Sequence, residues 1–198
     1  MDSIIFDVDG TLWDATGIVA EMWTQYLQNE RGLDITITAE RLQSLFGRLM
    51  KDIAANLFSA YTPDEQLQLM HDCCMYENEV LCNYRAPLYE GWEDTLKILS
   101  QKMPLFIVSN CHPGYIEVFL EATGFHNYFK GHLCPSDTGK DKAGNIAKII
   151  EDYNLKDPVY VGDTMGDHDS CKKVGIPFMF PSPTSRASLG PQHWADFM

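Results

Sequence analysis

The stretch Ser3-Ile4-Ile5-Phe6-Asp7-Val8-Asp9-Gly10-Thr11-Leu12 constrains this chain more than any other. From Ser3 to Val8 it is apolar except for Asp7, as in a strand buried on both faces of a parallel sheet. Its end carries two carboxylates and a Gly-Thr turn. Residues at i and i+2 of an extended chain point the same way, so Asp7 and Asp9 are expected to face one spot. That spot lies at the carboxyl edge of the sheet, where open α/β folds bind ligands. An acid inside an apolar strand is costly unless it is paired or binds a metal. Two acids capping a turn are the bland alternative, and the flanking strand with its Gly-Thr-Leu sequel argues against it.

The next stretch is helical in pattern. Ile18, Met22, Trp23, Tyr26 and Leu27 predict a helix over about 16–30, stopped by Gly32. Thr38 is placed to cap a second helix carrying Leu42, Leu45 and Phe46, and Leu49 to Phe58 suggests a third. Thr62-Pro63-Asp64-Glu65 is a strong helix start, with a capping Thr, an early Pro and a Glu three residues on. That helix carries Leu67, Met70, Cys74, Glu77 and Leu81. Residues 15–84 therefore read as an all-helical block inserted into a second domain made of 1–14 and 85–198.

After the return linker, which includes Arg85 and Pro87, helix and strand alternate. Trp92–Gln101 is a helix with Leu96, Ile98 and Leu99 on its buried side. Leu105–Val108 is a strand ending in Ser109-Asn110, and Gly114–Thr123 a helix. A short strand is expected around His132–Cys134, followed by a polar loop over Asp137–Lys142 and a helix over Ala143–Tyr153. Val159–Val161 is a strand ending in Gly162-Asp163-Thr164-Met165-Gly166-Asp167, and Ile176–Phe180 is another. A last short strand is expected at Trp194–Phe197. This alternation predicts an α/β fold, a doubly wound parallel sheet of Rossmann-like type with right-handed crossovers.

Charge and cysteine usage narrow the function. Acidic residues outnumber basic ones 28 to 15, a formal net charge of -13. That excludes a nucleic-acid partner and an anionic membrane surface, both of which need a basic face. It leaves room for a small phosphorylated substrate, because a bound metal and a few local cations can dominate a site. The six cysteines (Cys73, Cys74, Cys82, Cys111, Cys134, Cys171) form no paired Cys-x-x-Cys pattern. With no signal peptide and no membrane-length apolar run, the expectation is a cytoplasmic protein with reduced thiols.

Phe6-Asp7-Val8-Asp9-Gly10-Thr11-Leu12 resembles the first motif of the haloacid dehalogenase superfamily, whose phosphatase branch reads Asp-x-Asp-Gly-Thr. Ser109-Asn110 resembles the second motif. The third is a Lys at the start of the helix before the fourth strand; Lys140 and Lys142 both offer it, and Lys142, immediately before that helix, is preferred. Gly162-Asp163-Thr164-Met165-Gly166-Asp167 resembles the fourth, Gly-Asp-x-x-x-Asp. The helical block resembles the family's C1-type cap in placement and helicity.

The resemblance implies that Asp7 attacks phosphorus and forms an aspartyl-phosphate, with Asp9 as acid and then base. It implies Mg2+ held by Asp7, the Asp9 backbone carbonyl and Asp163, with Asp167 holding a coordinated water or orienting the other ligands. Ser109, Asn110 and Lys142 would bind phosphoryl oxygens. The substrate would be a small phosphorylated metabolite, and the chain a monomer or homodimer. An acid at Asp9 favours phosphatases over dehalogenases. Related β-phosphoglucomutases carry a His twelve residues after the nucleophile, where this chain has Val19. A phosphomutase and a catalytically silent phospho-ligand binder remain the alternatives. A phospho-receiver module also places an Asp at a strand end, but it has no reason for the helical insertion. Trp13, Trp23, Phe46, Arg48, Lys51 and Arg85 are candidates for the pocket rim. His112 and His168 are expected at the surface or rim.

Overall fold

The computed structural model describes residues 1–84, 88–89 and 91–181. Arg85, Pro87 and the expected strand at Trp194–Phe197 lie outside them. Five parallel strands form one sheet in the order β3-β2-β1-β4-β5. They are β1 (Ser3–Phe6), β2 (Leu105–Val108), β3 (Phe129–Leu133), β4 (Pro158–Val161) and β5 (Phe178–Met179). The central strand β1 sets Ile5 beside Phe106 on one side and Tyr160 on the other. Because side chains alternate along a strand, Ile4 and Phe6 enter one apolar layer and Ile5 the other. Leu105 and Ile107 divide from Phe106 and Val108 in the same way. The sheet is thus covered on both faces, as parallel sheets require.

Between β1 and β2 lie α1 (Thr16–Gln25), α2 (Ala39–Gln43), α3 (Met50–Leu57), α4 (Pro63–Leu81) and α5 (Trp92–Lys102). One wide π-type turn, Tyr26–Glu30, extends α1, so the helical span ends where the apolar spacing placed it. The Thr62–Glu65 capping box forms, with the Thr62 amide 2.8 Å from Glu65 Oε2. The first four helices make no strand, and Ile35 and Ile37 stay irregular. Beyond β2 come α6 (Tyr115–Thr123), α7 (Pro135–Thr138), α8 (Lys142–Asp152) and α9 (Met165–Val174).

Several expected details shift. Leu45 and Phe46 fall in a turn after α2 rather than in it. On α4 the buried face is Leu69, Met70, Cys73, Cys74, Glu77 and Leu81, while Leu67 is exposed. On α5 the buried residues are Trp92, Thr95, Leu96 and Leu99; Ile98, two places from Leu96, falls off that face and is exposed. The polar loop after β3 contains the single-turn α7. Among the described residues no helix is long and apolar enough to cross a membrane.

The helical block is not a detached unit. Trp13, Trp23, Leu69 and Leu81 belong to the same continuous apolar cluster as Ile4, Phe6 and Ile107. Polar ties add to it across the top of the sheet. Asn110 Nδ2 donates to the Gly47 carbonyl at 2.9 Å. Asn78 of α4 donates to the Pro113 carbonyl at 2.9 Å, and its Oδ1 lies 2.9 Å from His112 Nε2. The block is therefore held over the carboxyl edge of β1 and β2.

Candidate active site

β1 stops at Phe6, and the chain turns at once. The Val8 carbonyl accepts from the Leu12 amide at 2.8 Å, and the Trp92 indole donates to the Thr11 carbonyl at 2.8 Å. The Asp7 amide still pairs with the Val161 carbonyl at 2.9 Å, so the first acid is fixed by the sheet itself. Gly10 has φ +73, and a Cβ there would lie 2.2 Å from Asp163 Oδ2. Only glycine lets this turn approach the β4 loop so closely.

The two acids share a pocket but have different partners. Asp7 is buried and accepts from Lys142 Nζ at 3.0 Å. Burial raises its pKa to about 7, against the opposing pull of Lys142. Asp9 accepts from the Tyr115 hydroxyl at 2.6 Å, and Tyr115 is in turn the acceptor for the Trp13 indole at 3.2 Å. Burial raises Asp9 to about 6, with the Tyr115 bond acting the other way. The same strand end thus supplies one carboxyl beside an ammonium and one beside a phenol.

Lys142 is the first residue of α8, whose N-cap is Asp141, with Asp141 Oδ1 accepting from the Gly144 amide at 2.9 Å. The cap aims the lysine inward, where it is buried between Asp7 and Asp167. Burial pulls its pKa down, but the two carboxylates outweigh burial and hold the ammonium above its ordinary range. Lys140 is exposed. Of the two candidate lysines, only Lys142 therefore reaches the acids.

Asp163 and Asp167 come from the β4–α9 connection. Thr164 caps α9 and forms a box with Asp167, whose Oδ2 takes the Thr164 amide at 3.0 Å and its hydroxyl at 2.8 Å. The other Asp167 oxygen takes Lys142. Asp167 therefore anchors the lysine as well as standing in the acid group. Asp7, Asp163 and Asp167 each bring one oxygen within 4.8 Å of the others. This all-oxygen set of carboxylates fits a hard divalent cation such as magnesium. The Asp9 side chain is not part of that set.

Other expectations divide. Ser109 is buried and lines the pocket with Asn110. The Asn110 amide nitrogen, however, is committed to Gly47, and its Oδ1 has no partner among the described residues. Trp23, Phe46 and Arg48 line the pocket as expected. Trp13 does not; it is fully buried beneath, packed on Tyr115 and Phe119. Lys51 lines a neighbouring cleft. His168 is partly exposed against Phe178. His112 lines the pocket, as the rim expectation had it, but is buried rather than at the surface, and burial lowers it to about 4. Tyr115 and Glu77 also line the pocket and were not singled out by the sequence reading. Tyr115 gave no signal beyond helix position, whereas Glu77 was visible as an acid within an apolar stripe.

Residues 4–180 match the haloacid dehalogenase-like hydrolase family. No curated protein matches the chain by sequence. Among solved structures, a haloacid dehalogenase-like family protein from Streptococcus pneumoniae superposes with a TM-score of 0.78 at 21% identity, covering 100% of this chain and 99% of that one. CbbY from Rhodobacter sphaeroides, solved in complex with phosphate, gives 0.77 at 15%, covering 96% and 89%. A subfamily IA hydrolase from Geobacter sulfurreducens gives 0.71 at 18%, covering 100% and 96%. Four motifs in order, converging on one sheet edge, agree with that match along nearly the whole chain: the protein belongs to the haloacid dehalogenase-like hydrolase family and is a hydrolase.

Proposed function

We propose that this hydrolase is a phosphatase acting on the phosphate monoester of a small metabolite through an aspartyl-phosphate. The observation that carries this reading is the grouping of Asp7, Lys142, Asp163 and Asp167 at the end of β1, with Asp9 two residues on. Asp7 attacks phosphorus from a fixed position, since both its amide and its carboxylate are held. Lys142 offsets the charge that gathers where the phosphoryl group meets Asp7. Ser109 offers its hydroxyl to the same oxygens. Asp9, raised towards neutrality by burial, donates its proton to the leaving oxygen and then takes one from the attacking water. Tyr115 keeps that carboxyl oriented.

Magnesium, when bound, draws charge from the phosphoryl oxygens. Asp7, Asp163 and the Asp9 backbone carbonyl would hold it, with Asp167 behind them. The helical block acts as a cap and keeps bulk water out. The pocket beneath it is narrow, about 40 Å³, so substrate enters as the cap lifts. Val19 lines the pocket, where an aliphatic side chain can move no proton; this favours hydrolysis over a mutase cycle.

The test is release of phosphate from an aryl phosphate with magnesium, with EDTA, and by Asp7→Asn. Turnover that needs the metal and falls about a thousandfold or more in the variant supports the reading. No release from the aryl ester or from a panel of metabolite phosphates would sink it.

A further inference from the structure

The apolar face of α4 contains one carboxyl, Glu77, and the structure buries it to 2% exposure. Its Oε2 accepts from the Trp23 indole at 2.7 Å. Among the described residues no Lys or Arg forms an ion pair with it. Its near neighbours are Cys74 and His112, both within 4.8 Å. Burial keeps the thiol protonated and the imidazole uncharged, so neither supplies a positive charge.

Such a group weakens the fold. A buried acid without a cation is unfavourable, and an aliphatic residue would complete the stripe of Met70, Cys74 and Leu81. A carboxyl group offers acceptor lone pairs beyond the one that Trp23 uses. Glu77 lines the same pocket as Asp9, the acid that faces the leaving oxygen; burial first, and the nearby Asp9 second, hold its carboxyl well above the usual carboxylate range. Val19, Phe46 and Ile53 make the rest of that wall apolar. Arg48 is the one pocket cation outside the phosphoryl end among the described residues; it is exposed, so water screens it far more than it screens Glu77.

We propose that Glu77 reads the leaving alcohol: the pocket takes phosphate monoesters whose alcohol carries a further hydrogen-bond donor, hydroxyl or amino, and turns away those carrying a carboxylate. This rests on the phosphatase reading and narrows it. The donor fills a free acceptor site of Glu77. A leaving group with its own carboxylate would have to bring a charge into a poorly solvated wall beside Asp9 and Glu77, where no buried cation among the described residues that line the pocket can take it.

The experiment compares glycerol phosphate, phosphoethanolamine, phosphoglycolate and nitrophenyl phosphate as substrates of the wild type, Glu77→Gln and Glu77→Leu. The wild type is expected to favour the first two over phosphoglycolate by about tenfold or more in kcat/KM. Glu77→Leu should cost both donor substrates about a hundredfold while leaving nitrophenyl phosphate within about threefold. Glu77→Gln, isosteric and able to keep the Trp23 bond, separates the sources: it spares glycerol phosphate if a hydroxyl is read and weakens phosphoethanolamine if an ammonium is.

Nitrophenyl phosphate turnover by the wild type reports on the phosphatase reading alone. Should it be absent, calorimetric binding of the same esters still orders them by donor and carboxylate. Phosphoglycolate handled as well as glycerol phosphate, or all four esters changed by one common factor in both variants, would overturn the proposal. So would one tightly held equivalent of zinc that is lost in both Cys74→Ala and Glu77→Gln, since Glu77 would then serve as a metal ligand.

Discussion

Lys142→Met isolates the interaction on which the candidate site is built. The ammonium is almost fully buried, 3.0 Å from Asp7 and also bonded to Asp167. At an effective dielectric of about 20, one such pair is worth about 5–6 kcal/mol before the desolvation of both groups is subtracted. Removing one partner of a buried pair leaves an uncompensated charge and costs about 3–5 kcal/mol. Asp7 is already raised to about 7 with the lysine in place, chiefly by burial, and moves higher without it. A carboxyl raised above its unfolded value near 3.9 destabilises the fold as pH climbs through that interval. The loss in Lys142→Met is therefore largest near pH 8 and shrinks towards pH 5. Urea unfolding in EDTA at both pH values measures it, with equal m-values confirming that the unfolded states compare. The double variant Lys142→Met/Asp167→Asn, which removes one of the stranded carboxylates, should be more stable than Lys142→Met alone. A single variant within about 1 kcal/mol of wild type at both pH values would refute the reasoning.

Two further outcomes follow from the same geometry. His112, lowered to about 4 by burial, takes up its proton less readily folded than unfolded, so stability is present above about pH 6.5 and is lost as pH falls towards 4. Relative to His112→Gln, in which the carboxyls titrate alike, the wild type should lose up to about 3 kcal/mol across that window; a flat difference would contradict the burial. Gly10→Ala should cost about 1–2 kcal/mol in backbone strain and also displace Asp163, abolishing magnesium-dependent turnover. Gly175→Ala, at φ +83 with nothing within 4 Å, should cost the strain alone and keep activity.

The parts legible in sequence were those where one residue type answers to one physical demand. An acid at the end of an apolar strand, a glycine in the turn after it and a lysine at a helix start all mark the candidate site in the sequence itself. Lys142 and Lys140 were separable only by distance to the following helix, and the N-cap at Asp141 explains why the first of them turns inward. What stayed hidden depends on contacts between distant segments. Tyr115 reaches Asp9 from 106 positions away, and Asn110 is spent on holding Gly47, 63 positions away, which no local pattern records. Trp13 was a candidate for the rim, but the turn at Val8 folds it beneath the floor. Ile98 was misplaced because apolar character was read without the exact helical phase, whereas Leu67 is in phase with Met70 and Cys74 yet stays exposed near the start of α4.

The most direct test of the account is rapid acid quench of the wild type with magnesium and a hydrolysed phosphate ester, followed by mass analysis of the peptide containing Asp7. The account predicts a transient phosphoryl group on Asp7, absent in Asp7→Asn and in EDTA. Steady release of phosphate with no phosphoryl group ever trapped on that peptide, or with the group on another residue, would contradict it.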